Sequence, residues 1–218
     1  NICVGQIVTT ARPISKTILA IADVEDRFHL TPNADPQFFP EWLHDLPELT
    51  GNEQTTLERL RTRFAAHRRQ GTVAEGAVDK LIISPLLDLA GFYEPEFSIR
   101  TEESVEFLLE TEDELLRGRI DTLIMRNQLW VLVIEAKRTI MASLAVPQAL
   151  AYMMGNPNRD RPVYGMVSNG DEFIFLKVKQ TPNPQYGASK LYSLFFPLNS
   201  QEIEQAFRVI KNIKQQIT

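Results

Sequence analysis

Apolar and polar positions change rhythm along the chain. From residue 96 onward, apolar residues alternate with polar ones or run together in short stretches, at 97–101, 105–110, 117–125 and 129–136, with brief polar breaks between. That is the rhythm of β-strands. The part before it reads differently. Residues 54–70 are rich in Leu, Arg and Ala, contain no breaker and follow Gly51-Asn52, which predicts a helix of several turns. Residues 73–90 predict another, kinked or restarted at Ser84-Pro85 and stopped by Gly91. Downstream, 143–155 returns to helical spacing, 162–168 and 172–178 read as strands around Asn169-Gly170, and 191–196 as one more. A last helix starts behind Ser200 as its cap and ends near Gln215. Pro- and acid-punctuated stretches at 31–36 and 39–47 predict short helices upstream. The order predicts an α/β sandwich, a mixed β-sheet flanked by helices. Residues 1–72 form its helical N-terminal extension and 73–218 its main domain.

Composition narrows the class. At 218 residues and 44% hydrophobic content the chain suits one compact domain. No stretch approaches the roughly 20 apolar residues of a membrane span, and the first residues show no basic segment leading into an apolar run. The single cysteine, Cys3, rules out an internal disulfide framework or a thiolate metal cluster and fits a reducing, cytoplasmic setting. A formal charge of −5 argues against attraction to nucleic acid over the whole surface, so any such face must be local.

The chemistry concentrates in one segment. Val131 to Ile134 is apolar on both faces, which predicts an interior strand, yet it runs into Glu135 and Lys137, two ionisable residues one position apart. Such groups are costly to bury unless they serve each other or an ion. Asp121 joins them by register. A three-residue turn near Asn127 sets Asp121 opposite Val133 or Glu135, on the Glu135 face. A two-residue turn sets it opposite Ile134, on the wrong face, so the pairing requires an odd loop or a bulge. Two carboxylates without imidazole or thiolate favour a hard cation, Mg²⁺ or Mn²⁺. His29, His44 and His67 show no ligand spacing and read as surface or packing residues.

Asp121, followed thirteen residues later by Ile134-Glu135-Ala136-Lys137, resembles the PD-(D/E)XK nucleases. The resemblance is nearest to the N-terminal nuclease domain of type I restriction R subunits and to their stand-alone cyanobacterial relatives, over roughly residues 73–180. Three further stretches carry it: Glu75 opening a helix that ends in Leu81 to Phe92, Gln148-Ala-Leu-Ala-Tyr152, and Val167-Ser-Asn-Gly170 before Glu172 to Phe175. Ile120 stands where the motif's name has proline. The resemblance implies a restriction-endonuclease-like core and a Mg²⁺- or Mn²⁺-dependent endodeoxyribonuclease. Glu75, Asp121, Glu135 and Lys137 are its implied catalytic residues. Asp121, Glu135 and Ala136 would hold the metal, and Gln148, Tyr152, Arg119 and Arg138 would contact DNA or support the site. Implied partners are DNA and, by analogy with type I systems, other restriction-modification subunits or a translocase motor, which this chain does not itself contain.

The residues themselves bear on those roles. Glu75 lies three, seven and eleven positions before Val78, Ile82 and Leu86, in line with an apolar helix face, which predicts an inward carboxylate. Gln148 and Tyr152, four apart, share one helix face. Read alone, Glu135 and Lys137 are an ordinary strand-end ion pair and Asp121 a partner for Arg119 or Arg138. The five arginines between 59 and 69 read as a solvated helix surface, whereas Arg117, Arg119, Arg138 and Lys137 flank the carboxylates and suit phosphate contacts. Gly165 to Gly170 has phosphate-loop spacing but runs into Asp171-Glu172, where such a loop needs Lys and Ser or Thr. The competing readings are a nuclease-fold module that binds nucleic acid or protein without turnover, and a purely structural domain that binds no metal.

Overall fold

Two apolar layers lie on opposite faces of one mixed sheet in a computed structural model that describes residues 11–109, 114–126, 129–136, 142–194 and 201–217. The N-terminal segment contributes β1 (Arg12–Pro13), α1 (Ile14–Thr17), α2 (Ile21–Phe28), β2 (Thr31–Pro32), α3 (Pro40–Leu43) and α4 (Gly51–Arg68). A broken helix follows: α5 (Glu75–Val78), a π-helical turn at Asp79–Ile83, and α6 (Ser84–Leu89). Then come β3 (Phe97–Leu109), β4 (Glu114–Arg126) and β5 (Leu129–Ala136), helix α7 (Val146–Met154), strands β6 (Val163–Ser168), β7 (Glu172–Lys179), β8 (Gln185–Ala188) and β9 (Tyr192–Ser193), and α8 (Gln201–Ile217).

Strand order is β1-β4-β5-β6-β7-β8-β2, with β3 also pairing β4 and β9 pairing β7. The β5–β6, β1–β4 and β2–β8 pairs are parallel and the rest antiparallel, so the sheet is mixed and β5 is interior, as its apolar run predicts. Every residue of β6 is buried. One face carries α7, whose Ala149, Leu150 and Met153 pack with Val163, Val167 and Leu176. The other carries α4, α5–α6 and α8. In α8 the buried residues Ile203, Ala206, Phe207, Ile210 and Ile213 recur at helical spacing along one stripe. Fully burying such a side chain contributes about 1.5–3 kcal/mol.

Several departures from the sequence expectation have local causes. The segment before residue 72 is not helical throughout: β1 pairs β4 and β2 pairs β8, while Leu57, Leu60 and Phe64 of α4 enter the core. Helix α4 starts at Gly51, not 54, because Thr50 and Glu53 form a reciprocal cap. The Glu53 N–H donates to Thr50 Oγ1 at 3.2 Å and the Thr50 N–H to the Glu53 carboxylate at 2.6 Å. Pro85 can neither donate to the Leu81 carbonyl nor tolerate it close by, and the turn before it widens to π geometry, with the Ser84 N–H bonded to the Asp79 carbonyl. Strand β8 has no apolar rhythm. It is held instead by Phe39, whose ring occupies the space over Gly187, with Cε1 1.5 Å from where a Cβ would stand. The Ser200 cap and residues 195–196 lie outside the described residues.

A buried ion pair ties the N-terminal segment to the sheet. Lys177 Nζ lies 2.6 Å from Glu41 Oε1, which also accepts the Tyr164 hydroxyl at 2.8 Å, and Asn212 donates to the Glu41 carbonyl at 3.0 Å. Burial, then the Glu41 charge, pushes the Tyr164 hydroxyl pKa well above its ordinary value.

Candidate functional site

The β4–β5 hairpin sets the register of the strands that carry Asp121 and Glu135. Arg126 pairs with Leu129 across a two-residue connection, the case that would set Asp121 opposite Ile134. The register then shifts: Met125 pairs with Trp130 but Ile124 with Leu132, so Val131 is an extra, bulged residue. Beyond the bulge the ladder runs Ile124–Leu132, Leu123–Val133 and Thr122–Ile134, where its pairing ends, one residue short of Asp121 and of Glu135. On its other side Glu135 is level with Val167, and Ala136 with Ser168, of the fully buried β6.

Asp121 also marks a distortion in β4. Leu116 and Ile120 face the α7 layer, and so do Leu123 and Met125, whereas Ile124 faces the opposite layer. Strict alternation cannot place 120 and 123 on one face, so the strand changes phase at 121–122. Across β3 the matching position, between the Thr101–Thr122 and Glu103–Ile120 pairs, is Glu102, a non-glycine residue at φ 56°. Side chains rarely adopt that conformation, and such strain clusters at functional sites. Glu102 accepts Arg119 at 2.9 Å, an exposed pair. Nothing in the local sequence singles out Glu102.

Beside the distortion, β4 carries β1 at Leu116 and Arg117 and β5 from Thr122 onward, which leaves an interval in that edge. A cleft of about 540 Å³ opens there, lined by Ser15, Ser104, Arg117, Arg119, Gln148 and Tyr152. The structure thus brings together three residues expected in supporting roles, Arg119, Gln148 and Tyr152. Gly118 admits the tyrosine: a Cβ there would stand 2.4 Å from Tyr152 Cε1 and 3.0 Å from its hydroxyl oxygen.

Glu75 corrects an expectation. It is exposed, although Val78, Ile82 and Leu86 behind it are fully buried. As the first residue of α5 its side chain leans back off the helix end, where no preceding turn covers it. Lys137 and Arg138 lie outside the described residues. All three histidines are exposed, and His29 closes α2 in the left-handed conformation. Among the described residues no three His, Cys, Asp or Glu side chains cluster as a metal group. The oxygen donors expected for a metal are Asp121 in β4 and Glu135 and the Ala136 carbonyl at the end of the neighbouring β5. That set fits a small hard cation.

A family model described as type I restriction enzyme R protein N terminus (HSDR_N) matches residues 36–184. Among solved structures, a fragment described as an HsdR subunit of a type I restriction enzyme from Vibrio vulnificus YJ016 is similar at 18% identity with a TM-score of 0.36. The similarity covers 47% of this chain and 21% of that one, so the chain spans about a fifth of that relative. No curated protein matches.

Proposed function

The chain belongs to the family of type I restriction enzyme R protein N termini, and from that premise we propose that it is a divalent-metal-dependent endonuclease acting on DNA in the cytoplasm. The observation that carries this reading is the β4–β5 ladder, which after the bulge at Val131 pairs Thr122 with Ile134 of an interior strand, so that Asp121 and Glu135 are the next residue on each strand. Asp121, Glu135 and the Ala136 carbonyl would hold Mg²⁺ or Mn²⁺, which acidifies a bound water and offsets charge on a phosphate oxygen.

The reaction is hydrolysis. A water oxygen bonds to phosphorus, one ester P–O bond breaks, and the departing oxygen takes up a proton, leaving a phosphate monoester and a hydroxyl. Lys137, one residue beyond Ala136, orients the attacking water, whose proton passes to solvent. Glu75, exposed at the start of α5, keeps the acidic role that the resemblance implies for it. Gln148 and Tyr152 steady the strand in the cleft, and Arg119 and Arg138 contact phosphates. Any ATP-driven motor and other restriction-modification subunits are partners outside this chain.

Incubation of the purified protein with supercoiled plasmid in Mg²⁺ or Mn²⁺ tests the reading. Nicked or linear product is expected from the parent and is expected to vanish in chelator, in Asp121→Asn and in Lys137→Ala. Equal cleavage by the parent and both variants would remove these residues from the chemistry. Intact plasmid throughout would favour a module that has lost turnover.

A further inference from the structure

Helix α4 carries Arg59, Arg61, Arg63 and Arg68, Arg69 follows as its C-terminal cap, and the structure divides the five. The half-buried Arg61 and Arg68 and the exposed Arg69 line a cavity of about 250 Å³ whose other walls include Phe64, Asp171 and Leu194, and the exposed Arg59 and Arg63 stand outside it. We propose that this cavity holds a backbone phosphate of bound DNA, with the adjoining sugar against Phe64 and Leu194. The proposal rests on the nuclease reading and adds to it a second DNA-holding point, which shares no residue with the Tyr152 cleft.

Three features make the cavity a built site and not a solvated helix face. First, its walls are fixed from different elements. Gly170, at φ 87°, lies so close beneath Phe64 that a Cβ would stand 2.4 Å from the ring, and the Leu194 N–H donates to the Asp171 carbonyl at 2.6 Å. Second, the guanidinium groups are aimed. Asp171 holds Arg68 Nε at 2.6 Å, and Glu58 grips Arg61 through two bonds of 2.8 and 2.6 Å. Among the described residues Arg69 has no ion-pair partner. Three guanidinium groups against the carboxylates of Asp171 and Glu58 leave one positive charge in excess around the cavity, in a chain of formal charge −5. A planar guanidinium with several N–H donors suits a phosphate in particular.

Third, the cavity lies at the carboxyl end of the right strand. Asp171 sits in the turn after β6, and Ser168 of β6 is level with Ala136 of β5. Three residues of chain and one strand spacing keep the Asp171 wall within about 16 Å of the end of β5. A duplex that carries one charge per about 1.7 Å of its axis presents a second phosphate well within that span.

The test is binding, not cleavage. Fluorescence anisotropy of a labelled duplex, titrated with the whole protein in chelator over a series of salt concentrations, compares the parent with Arg61→Gln/Arg69→Gln. Arg59→Gln/Arg63→Gln is the control, with the same charge removed from the same helix outside the cavity. The cavity pair is expected to weaken binding roughly tenfold and to flatten the log–log salt dependence by about one for each phosphate no longer held, with the control close to the parent. Matching melting temperatures for the three proteins exclude a folding defect. If both pairs weaken binding equally, or neither does, the cavity is no phosphate site although the nuclease reading stands. A parent that binds no duplex overturns both.

Discussion

Gly118 shows how much of the cleft rests on a single missing atom. Its neighbours in sequence, Arg117 and Arg119, give no reason for glycine. The reason is Tyr152, 34 residues later, whose ring fills the space a Cβ would need. Gly118→Ala is expected to cost about 1–3 kcal/mol, since the ring is wedged against a buried strand. In a chain of this size that lowers the melting temperature by about 2–4 °C per kcal/mol. In a Tyr152→Ala background the same substitution should cost little, and equal costs in both backgrounds would show that the ring is not what Gly118 accommodates. At this scale the sequence was legible only where chemistry repeats a known spacing. Asp121, Glu135, Gln148 and Tyr152 stand out by their neighbours, whereas Glu102 and Gly118 owe their roles to strands or helices distant in the chain. Glu75 stood out too, but its direction was misread, because periodicity assumes a helix on both sides of a residue and Glu75 begins one.

Among elements, those with strong periodicity were legible and those defined by partners were not. Strands β3 to β7 and helices α4, α7 and α8 follow their apolar patterns, while β1, β2 and β8 are two to four residues long and exist through pairing. The sequence showed that the hairpin needed an odd loop or a bulge. It could not say which, since a bulge is a property of two strands together. The junction of β9 with α8 carries a pH prediction. Burial, then the nearby Glu202 charge, pushes the Tyr192 hydroxyl up to about 12 from its ordinary 10.0. Between those values the unfolded chain has lost a proton that the folded chain keeps. This contribution to stability is therefore complete below pH 10 and is lost as pH rises towards 12. Denaturant midpoints measured at about pH 9 and 11 should fall less in Tyr192→Phe than in the parent. An equal fall would mean that Tyr192 titrates as in the unfolded chain.

For the molecule as a whole, the mixed sheet with helices on both faces was legible from the order of elements. How closely the first 72 residues are joined to it was not. Their contribution runs through β1 on β4, Phe39 over Gly187, the buried Glu41–Lys177 pair and three α4 side chains in the core. Residues 73–218 alone should therefore lack a cooperative unfolding transition by circular dichroism. A sharp transition near that of the whole chain would make the first segment dispensable to folding. The central claim is that Asp121 and Glu135, on the neighbouring strands β4 and β5, form a cation-holding site. Calorimetric titration with Mn²⁺ tests it most directly: the parent is expected to bind one ion per chain and both Asp121→Asn and Glu135→Gln to bind none, whereas undiminished uptake by the two variants would contradict it.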